Sequence, residues 1–155
     1  MQKLKDNITL RIAGGDDADF LRLTEELMAE YVALYGEEAL DFSPPSALTE
    51  AVCAAVAYCA GEAAASGALR RHDARSAELM RVYVRPDYRC RGLGAHLVSG
   101  LEREAKRLGF TRTVLLTGLD MPAALALYSR LGYTRIENFG PMQDDPLCVC
   151  FEKHL

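Results

Sequence analysis

Nowhere in the 155 residues does an unbroken apolar run reach the roughly 20 residues needed to cross a bilayer. The opening "MQKLKDNITLRIAGGDDADF" lacks the apolar core and small-residue cleavage site of a secretion signal. Cys53, Cys59, Cys90, Cys148 and Cys150 form an odd set without a CxxC pair or a histidine at metal-ligand spacing. That pattern argues against a disulfide framework and against a structural metal, and suits idle thiols in a reducing cytoplasm. A basic stripe is missing too: 18 Lys and Arg against 22 Asp and Glu give a net charge of −4 and a pI near 5.4. Neither nucleic acid nor an anionic membrane surface is an expected partner. No repeat, low-complexity linker or break in composition divides the chain, so one domain over residues 1–155 is expected.

What is present is an ordinary globular composition, 50% hydrophobic and 26% charged. A chain of this length buries about 70% of its unfolded surface and needs no covalent staple. "NITLRIA" alternates Ile8, Leu10 and Ile12 with polar residues, the period of a half-buried strand. After "GGDD", with Asp16 or Asp17 placed as a cap, Phe20, Leu23, Leu27, Tyr31 and Leu34 form a helical stripe ending near Gly36. "EEALDFSPPS" reads as a loop, and Ala47 to Cys59 as a short helix passing into a strand. "AAASGALRR" and "AELMRVYV" read as strands joined by the polar turn "HDARS".

A helix follows "RCRGLG", with Leu97, Leu101, Ala105 and Leu108 as its apolar stripe and Gly109 as its stop. "RTVLLTG" is a strand, and Pro122 and Gly132 bracket a second helix. "YTRIE" and "LCVCFE" close the chain as strands. Hairpin strands followed by strand, helix, strand, helix and strand imply an α/β or α+β domain with a mixed sheet.

The loop "RCRGLG" sets two arginines and two glycines between a strand and a helix. A dinucleotide fingerprint would need a third glycine where Leu97 stands, and an NTPase loop would need Gly-Lys-Ser/Thr where Gly94, Ala95 and His96 stand. What remains is a helix start whose free N–H groups favour an anion and whose glycines admit it closely. "VRPDYRCRGLGAHLV" resembles the R/Q-x-x-G-x-G/A signature of the GNAT superfamily of acyl-CoA-dependent N-acyltransferases, with Arg89, Gly92 and Gly94 in its three defining positions. "AELMRVYV" is similar to the strand before that loop, and "AALALYSRLGY" to the second family motif.

The resemblance implies a GNAT-like mixed, mostly antiparallel sheet with helices on both faces and splayed fourth and fifth strands. Acetyl-CoA, as co-substrate and without a metal, would lie between those strands. Its pyrophosphate would rest on the loop Cys90, Arg91, Gly92, Leu93, Gly94 and Ala95, with Arg89 beside it, and its pantetheine arm would run along Val82 to Val84.

The same resemblance implies a general acid at Tyr128, whose hydroxyl would reach the thioester sulfur, and a base at Glu78, acting directly or through water. A phenol near pKa 10 protonating a thiol near 8.5 is uphill by only about 2 kcal/mol. The bland alternatives are a core tyrosine at 128 and, at Glu78, a structural carboxylate paired with Arg81 or Arg85. Strand alternation would put Glu78 on one face with Met80, Val82 and Val84. Met121 stands where the second motif often carries Asn.

The acceptor would enter between "MAEYVALYGEEALDF" and "NFGPMQDDP", with Arg70 or Arg71 available to a carboxylate. A primary amine of a small molecule or amino acid is the expected acceptor. A peptide or protein amine, or a non-catalytic acyl-CoA-binding module, stands as the alternative, and a homodimer is left open.

Overall fold

The computed structural model describes residues 7–42 and 44–155. "NITLRIA" becomes β1 (Ile8–Ala13). Of the two candidate caps it is Asp17 that serves, accepting the Phe20 N–H at 3.0 Å while Arg11 holds the same carboxylate. Helix α1 (Ala18–Tyr35) then buries Phe20, Leu23 and Leu27 against the sheet. Leu34 continues the stripe in sequence but is 64% exposed, because no second layer covers the last turn of α1.

The expected loop contains a short helix, α2 (Ala39–Phe42), and Pro45 opens a 3₁₀ turn, Pro45–Glu50, at the position where a missing N–H costs nothing. Ser43 of that loop lies outside the described residues, as do residues 1–6. The alanine-rich stretch that follows is β2 (Ala51–Cys59), paired on both sides by β1 and by β3 (Glu62–Arg71). Its small side chains let helices pack closely on both faces, which overrides their helical propensity.

Strand β4 (Ser76–Val84), helix α3 (Leu93–Arg107), strand β5 (Arg112–Gly118), helix α4 (Pro122–Arg130) and strands β6 (Thr134–Ile136) and β7 (Cys148–His154) complete the fold. The seven strands run in the order β1-β2-β3-β4-β5-β7-β6, and every pair is antiparallel except β4 with β5. Helix α1 covers one face, where Phe20, Leu23 and Leu27 meet Val56, Ala68, Met80 and Tyr83. Helix α3 covers the other, where Leu97, Val98 and Leu101 meet Ala55, Leu69 and Leu79. Leu108 is not part of that stripe: it is 41% exposed, and Phe110 takes the core position instead. Gly109, at φ 95°, turns the chain so that the Phe110 N–H bonds back to the Ala105 carbonyl.

Two irregularities in β4 shape everything downstream. Opposite Gly67, β4 carries an extra residue: Met80 pairs with Ala68 and Tyr83 with Ser66, leaving Arg81 at φ 57° in a bulge. The bulge breaks the simple alternation. Glu78 and Met80 face α1, whereas Val82 and Val84 face the α3 side with Leu79, so the four residues do not share one face. Second, β4 and β5 pair for only three residues, Ser76 to Glu78 against Arg112 to Val114. Beyond Glu78 they part.

A buried polar cluster ties α3, β5, β7 and the turn before β6 together. The Tyr133 hydroxyl lies 2.8 Å from Thr113 Oγ1 and donates to Glu102 at 2.7 Å, and Lys153 donates to the other Glu102 oxygen at 3.0 Å. Tyr133→Phe removes the atom shared by Thr113 and Glu102, both buried. It is expected to cost about 1–3 kcal/mol and to lower Tm by several degrees in a calorimetric melt. An unchanged Tm would show that the cluster adds nothing to stability.

Candidate active site

Where β4 and β5 separate, a cavity of about 440 Å³ opens, lined from both faces of the sheet. Glu78, Met80, Arg81, Arg70 and Tyr31 line it on the α1 side, and Leu79, Val82, Ala124 and Tyr128 on the α4 side. Asp41 and Glu50 of the α2 region and Pro141 and Met142 before β7 close its outer end. Both segments expected at the acceptor entrance therefore contribute walls. A second cavity of about 340 Å³ adjoins it through the shared walls Tyr31, Leu116, Thr117, Met121 and Met142.

Glu78 sits directly opposite Arg70 in the β3–β4 register, and its carboxylate is held at both oxygens, 3.1 Å from Nε and 3.1 Å from Nη2. The partner is thus Arg70, a cross-strand neighbour, and not Arg81 or Arg85. Arg85 instead grips Glu26 at 2.6 and 2.9 Å. Burial opposes the Arg70 charge, but the carboxylates of Glu78 and Glu50, the latter 3.0 Å away, more than compensate and raise its pKa. A carboxylate offers about four lone-pair sites, so the bidentate pair leaves Glu78 two with which to accept a proton donor from the cavity.

Tyr128 is buried on α4, with its ring 5.5 Å from that of Tyr133 in an edge-to-face contact. Its hydroxyl makes no hydrogen bond among the described residues, and burial pushes the phenol well above its ordinary pKa. Such a hydroxyl keeps its proton and can donate it as a hydrogen bond to a group that enters the cavity. Met121, in place of the family's common Asn, caps α4 without a side-chain bond and forms part of the cavity wall.

The glycine loop does not line the cavity, and of the expected cofactor residues only Val82 does. From Cys90 to Ala95 no backbone N–H finds an acceptor among the described residues. Cys90 at φ 63° and Gly92 at φ 82° turn this row of donors around the start of α3. Such a curved row of N–H groups at a helix start suits an anion. A Cβ at Gly92 would meet nothing, whereas one at Gly94 would press on Leu127 at 3.2 Å. Gly92 therefore serves the turn, and Gly94 the close approach of α3 to α4. Leu93 is buried and offers only its main chain. Arg89 reaches back to Glu30 at 2.7 Å and to the Val84 carbonyl at 2.8 Å, while Arg91 is exposed.

Sequence reasoning missed the Arg70–Glu78 pair and the placement of Arg81 in the cavity wall. The cross-strand register that makes the first, and the bulge that makes the second, leave no mark in residue spacing. Arg71 turns away to the carbonyls of Asp73 and Ala74 and over the Phe110 ring.

The acetyltransferase (GNAT) family model matches residues 20–133. An IAA acetyltransferase of Azospirillum brasilense is 35% identical over 78 residues, 50% of this chain and 51% of that protein. The chain thus spans about half the length of that relative. A Klebsiella pneumoniae structure assigned as an acyl-CoA N-acyltransferase shares 33% identity at a TM-score of 0.77, covering 96% of this chain and 97% of its own. The PaiA N-acetyltransferase of Thermoplasma acidophilum, solved with coenzyme A, has the same fold at a TM-score of 0.73 and 20% identity, over 96% and 99% of the two chains. Parted strands, a row of free N–H groups and a family match across most of its length agree: this chain belongs to the acetyltransferase (GNAT) family of acyl-CoA-dependent acyltransferases.

Proposed function

We propose that residues 1–155 act as one N-acetyltransferase domain, moving the acetyl group of acetyl-CoA directly onto a primary amine of a small molecule. The observation that carries this reading is the parting of β4 and β5, which puts Glu78 and Tyr128 on one cavity from opposite faces of the sheet. Two adjoining cavities of about 440 and 340 Å³ are the size of small-molecule sites. The name of the A. brasilense relative supports a small-molecule acceptor as well.

In this reading the diphosphate rests on the N–H groups of Cys90 to Ala95, and the acyl arm follows the edge of β4 that has no β5 partner beyond Glu78. An alkylamine with a pKa near 10.4 is only about one part in 2,500 neutral at pH 7. Glu78, directly or through a water on its remaining lone pairs, removes the proton the nitrogen must lose. The nitrogen attacks the thioester carbonyl, and a main-chain N–H near Val82 or Val84 meets the developing oxyanion. The nitrogen, cationic after attack, then gives up a further proton to water, and the C–S bond breaks. The sulfur takes a proton from the Tyr128 hydroxyl, which is restored from water, so that one proton in all is released. Because burial raises the Tyr128 pKa, its work is to donate a strong hydrogen bond to the leaving sulfur more than to surrender the proton early.

Three outcomes test the reading. Gly92→Val forces a β-branched residue to φ 82°, a strain of roughly 1–3 kcal/mol that should lower Tm even though the side chain meets nothing. Acetyl-CoA affinity, measured by calorimetry well below that Tm, should fall at least tenfold. Undiminished affinity would remove the loop from the cofactor site.

Tyr128→Phe should lower turnover by about 10²–10³ with little change in acetyl-CoA affinity. Its stability should hardly change, because the hydroxyl has no protein partner to lose. Native turnover in that variant would refute the acid role.

Glu78→Gln should cut turnover and flatten the acid limb of the pH–rate profile. If the limb persists and only Tm falls, Glu78 is a structural partner of Arg70 and no more. If the native protein binds acetyl-CoA but releases no thiol over a panel of amines, amino acids and peptides, it is a binding module.

A further inference from the structure

Two arginines line the larger cavity, and their situations differ. Arg70 is shared between Glu78 and Glu50. Arg81 has no carboxylate partner among the described residues, although Asp41, Glu50 and Glu78 line the same cavity. Its guanidinium donates to the Pro44 carbonyl at 2.9 Å and touches the Met28 sulfur at 3.2 Å. Of its five N–H donors, three are left without a protein acceptor among those residues. Burial works against its charge.

The backbone at Arg81 is also unusual. It is one of three non-glycine residues at positive φ among the described residues, a conformation that costs roughly 1–2 kcal/mol. Plain alternation would send this side chain to the same face as Leu79, into the apolar core beneath α3. The bulge re-aims it towards α1 and the cavity, on the side where Glu78 also points. The fold thus accepts local strain to hold a cation without an ion-pair partner among the described residues on the same cavity as the carboxylate that the reaction would use as a base.

We propose that Arg81 binds the carboxylate of the acceptor, which makes the acceptor an amino acid or a closely similar amino-carboxylate whose amine is directed to Glu78. This rests on the acetyl-transfer reading above. The balance of charge selects the ligand class: Arg70 and Arg81 face Asp41, Glu50 and Glu78, two cations against three carboxylates. A dianionic phosphate would be repelled by that surplus. A zwitterion places its ammonium by the carboxylates and its own carboxylate on the guanidinium fork. Glu78 and Arg81 lie three positions apart on β4, no more than about 10 Å between Cα atoms in an extended strand, so long side chains can meet the two ends of one small acceptor.

The test compares the common L-amino acids with their amides and with the corresponding decarboxylated amines, using native protein, Arg81→Asn and Arg81→Lys. Asn tolerates positive φ, so the bulge should survive, and thermal melts check that it does. The native enzyme should favour the carboxylate form. In Arg81→Asn the KM for carboxylate-bearing acceptors should rise about 10- to 100-fold and the preference over amides should vanish, with the acetyl-CoA KM unchanged. Arg81→Lys should fall between the two, because it keeps the charge and loses the fork.

A purely structural tie to Pro44 would instead lower Tm and slow all acceptors alike. That result, or a preference for carboxylates that persists in Arg81→Asn, overturns the proposal while leaving acetyl transfer intact. If no amine accepts an acetyl group, acetyl transfer fails on its own account. Calorimetry with N-acetyl amino acids and CoA then decides Arg81 separately: binding lost in Arg81→Asn supports its role, and equal binding refutes it.

Discussion

Two neighbouring parallel strands that pair for three residues and then diverge impose a problem that the rest of the molecule answers. Past Glu78, the β5-facing edge of β4 has no ladder partner, and main-chain groups left dry and unpaired would each cost about 1–3 kcal/mol. The gap is tolerable only as a lined, accessible cavity. The remainder of the sheet carries the stability that this region gives up. Strands β2 and β3, buried on both faces and built largely of alanine, bring α1 and α3 close on either side. Fully buried residues such as Phe20, Leu97 and Leu101 each contribute about 1.5–3 kcal/mol to that packing.

A line of arginines from β4 and the loop after it reaches across to α1. Arg81 touches Met28, Arg85 holds Glu26, and Arg89 holds Glu30. Arg85 keeps the Glu26 carboxyl below its ordinary pKa. These groups are roughly a quarter to two-fifths exposed, so each pair adds little stability. Their value is positional: contacts spaced along α1 fix its distance from the strand and loop that would hold acetyl-CoA. The same ties hold Arg89, despite its place in the glycine-loop signature, on Glu30 of α1 and the Val84 carbonyl, so that in the proposed reading the anion would be met by the main chain of the loop.

The two chemical groups of the site are presented in opposite ways. Glu78 is embedded in a bidentate ion pair set by strand register, so its orientation is fixed, and it forms part of the cavity wall. Tyr128 stands on a short helix with its ring braced by Tyr133 and its hydroxyl uncommitted. An oriented acceptor of protons and an uncommitted donor, on one cavity but on opposite faces of a sheet, suit a reaction in which one proton leaves an amine and another reaches a sulfur.

Much of this architecture was legible in local patterns. The alternation in "NITLRIA", the cap at Asp17, the Gly109 and Gly132 stops and the glycine turn before α3 depend on a few adjacent residues, whose dihedral preferences and periodicity travel with the chain. The family motifs around Gly92 and Tyr128 were readable for the same reason. Leu34 and Leu108 continued their stripes on paper but not in the core, because burial depends on what lies over a residue and periodicity records only which side it faces. The bulge at Arg81, the Arg70–Glu78 pair and the cavity between β4 and β5 were not legible. Each arises where segments distant in sequence meet: Gly67 opposite the bulge, β3 setting the partner of Glu78, and β5 running beside β4 for three residues only. Side-chain alternation along an isolated strand predicts one face for Glu78 and Val82. Only pairing with β3 adds the extra residue that parts them, because a left-handed backbone at an arginine is chosen by its neighbours in space.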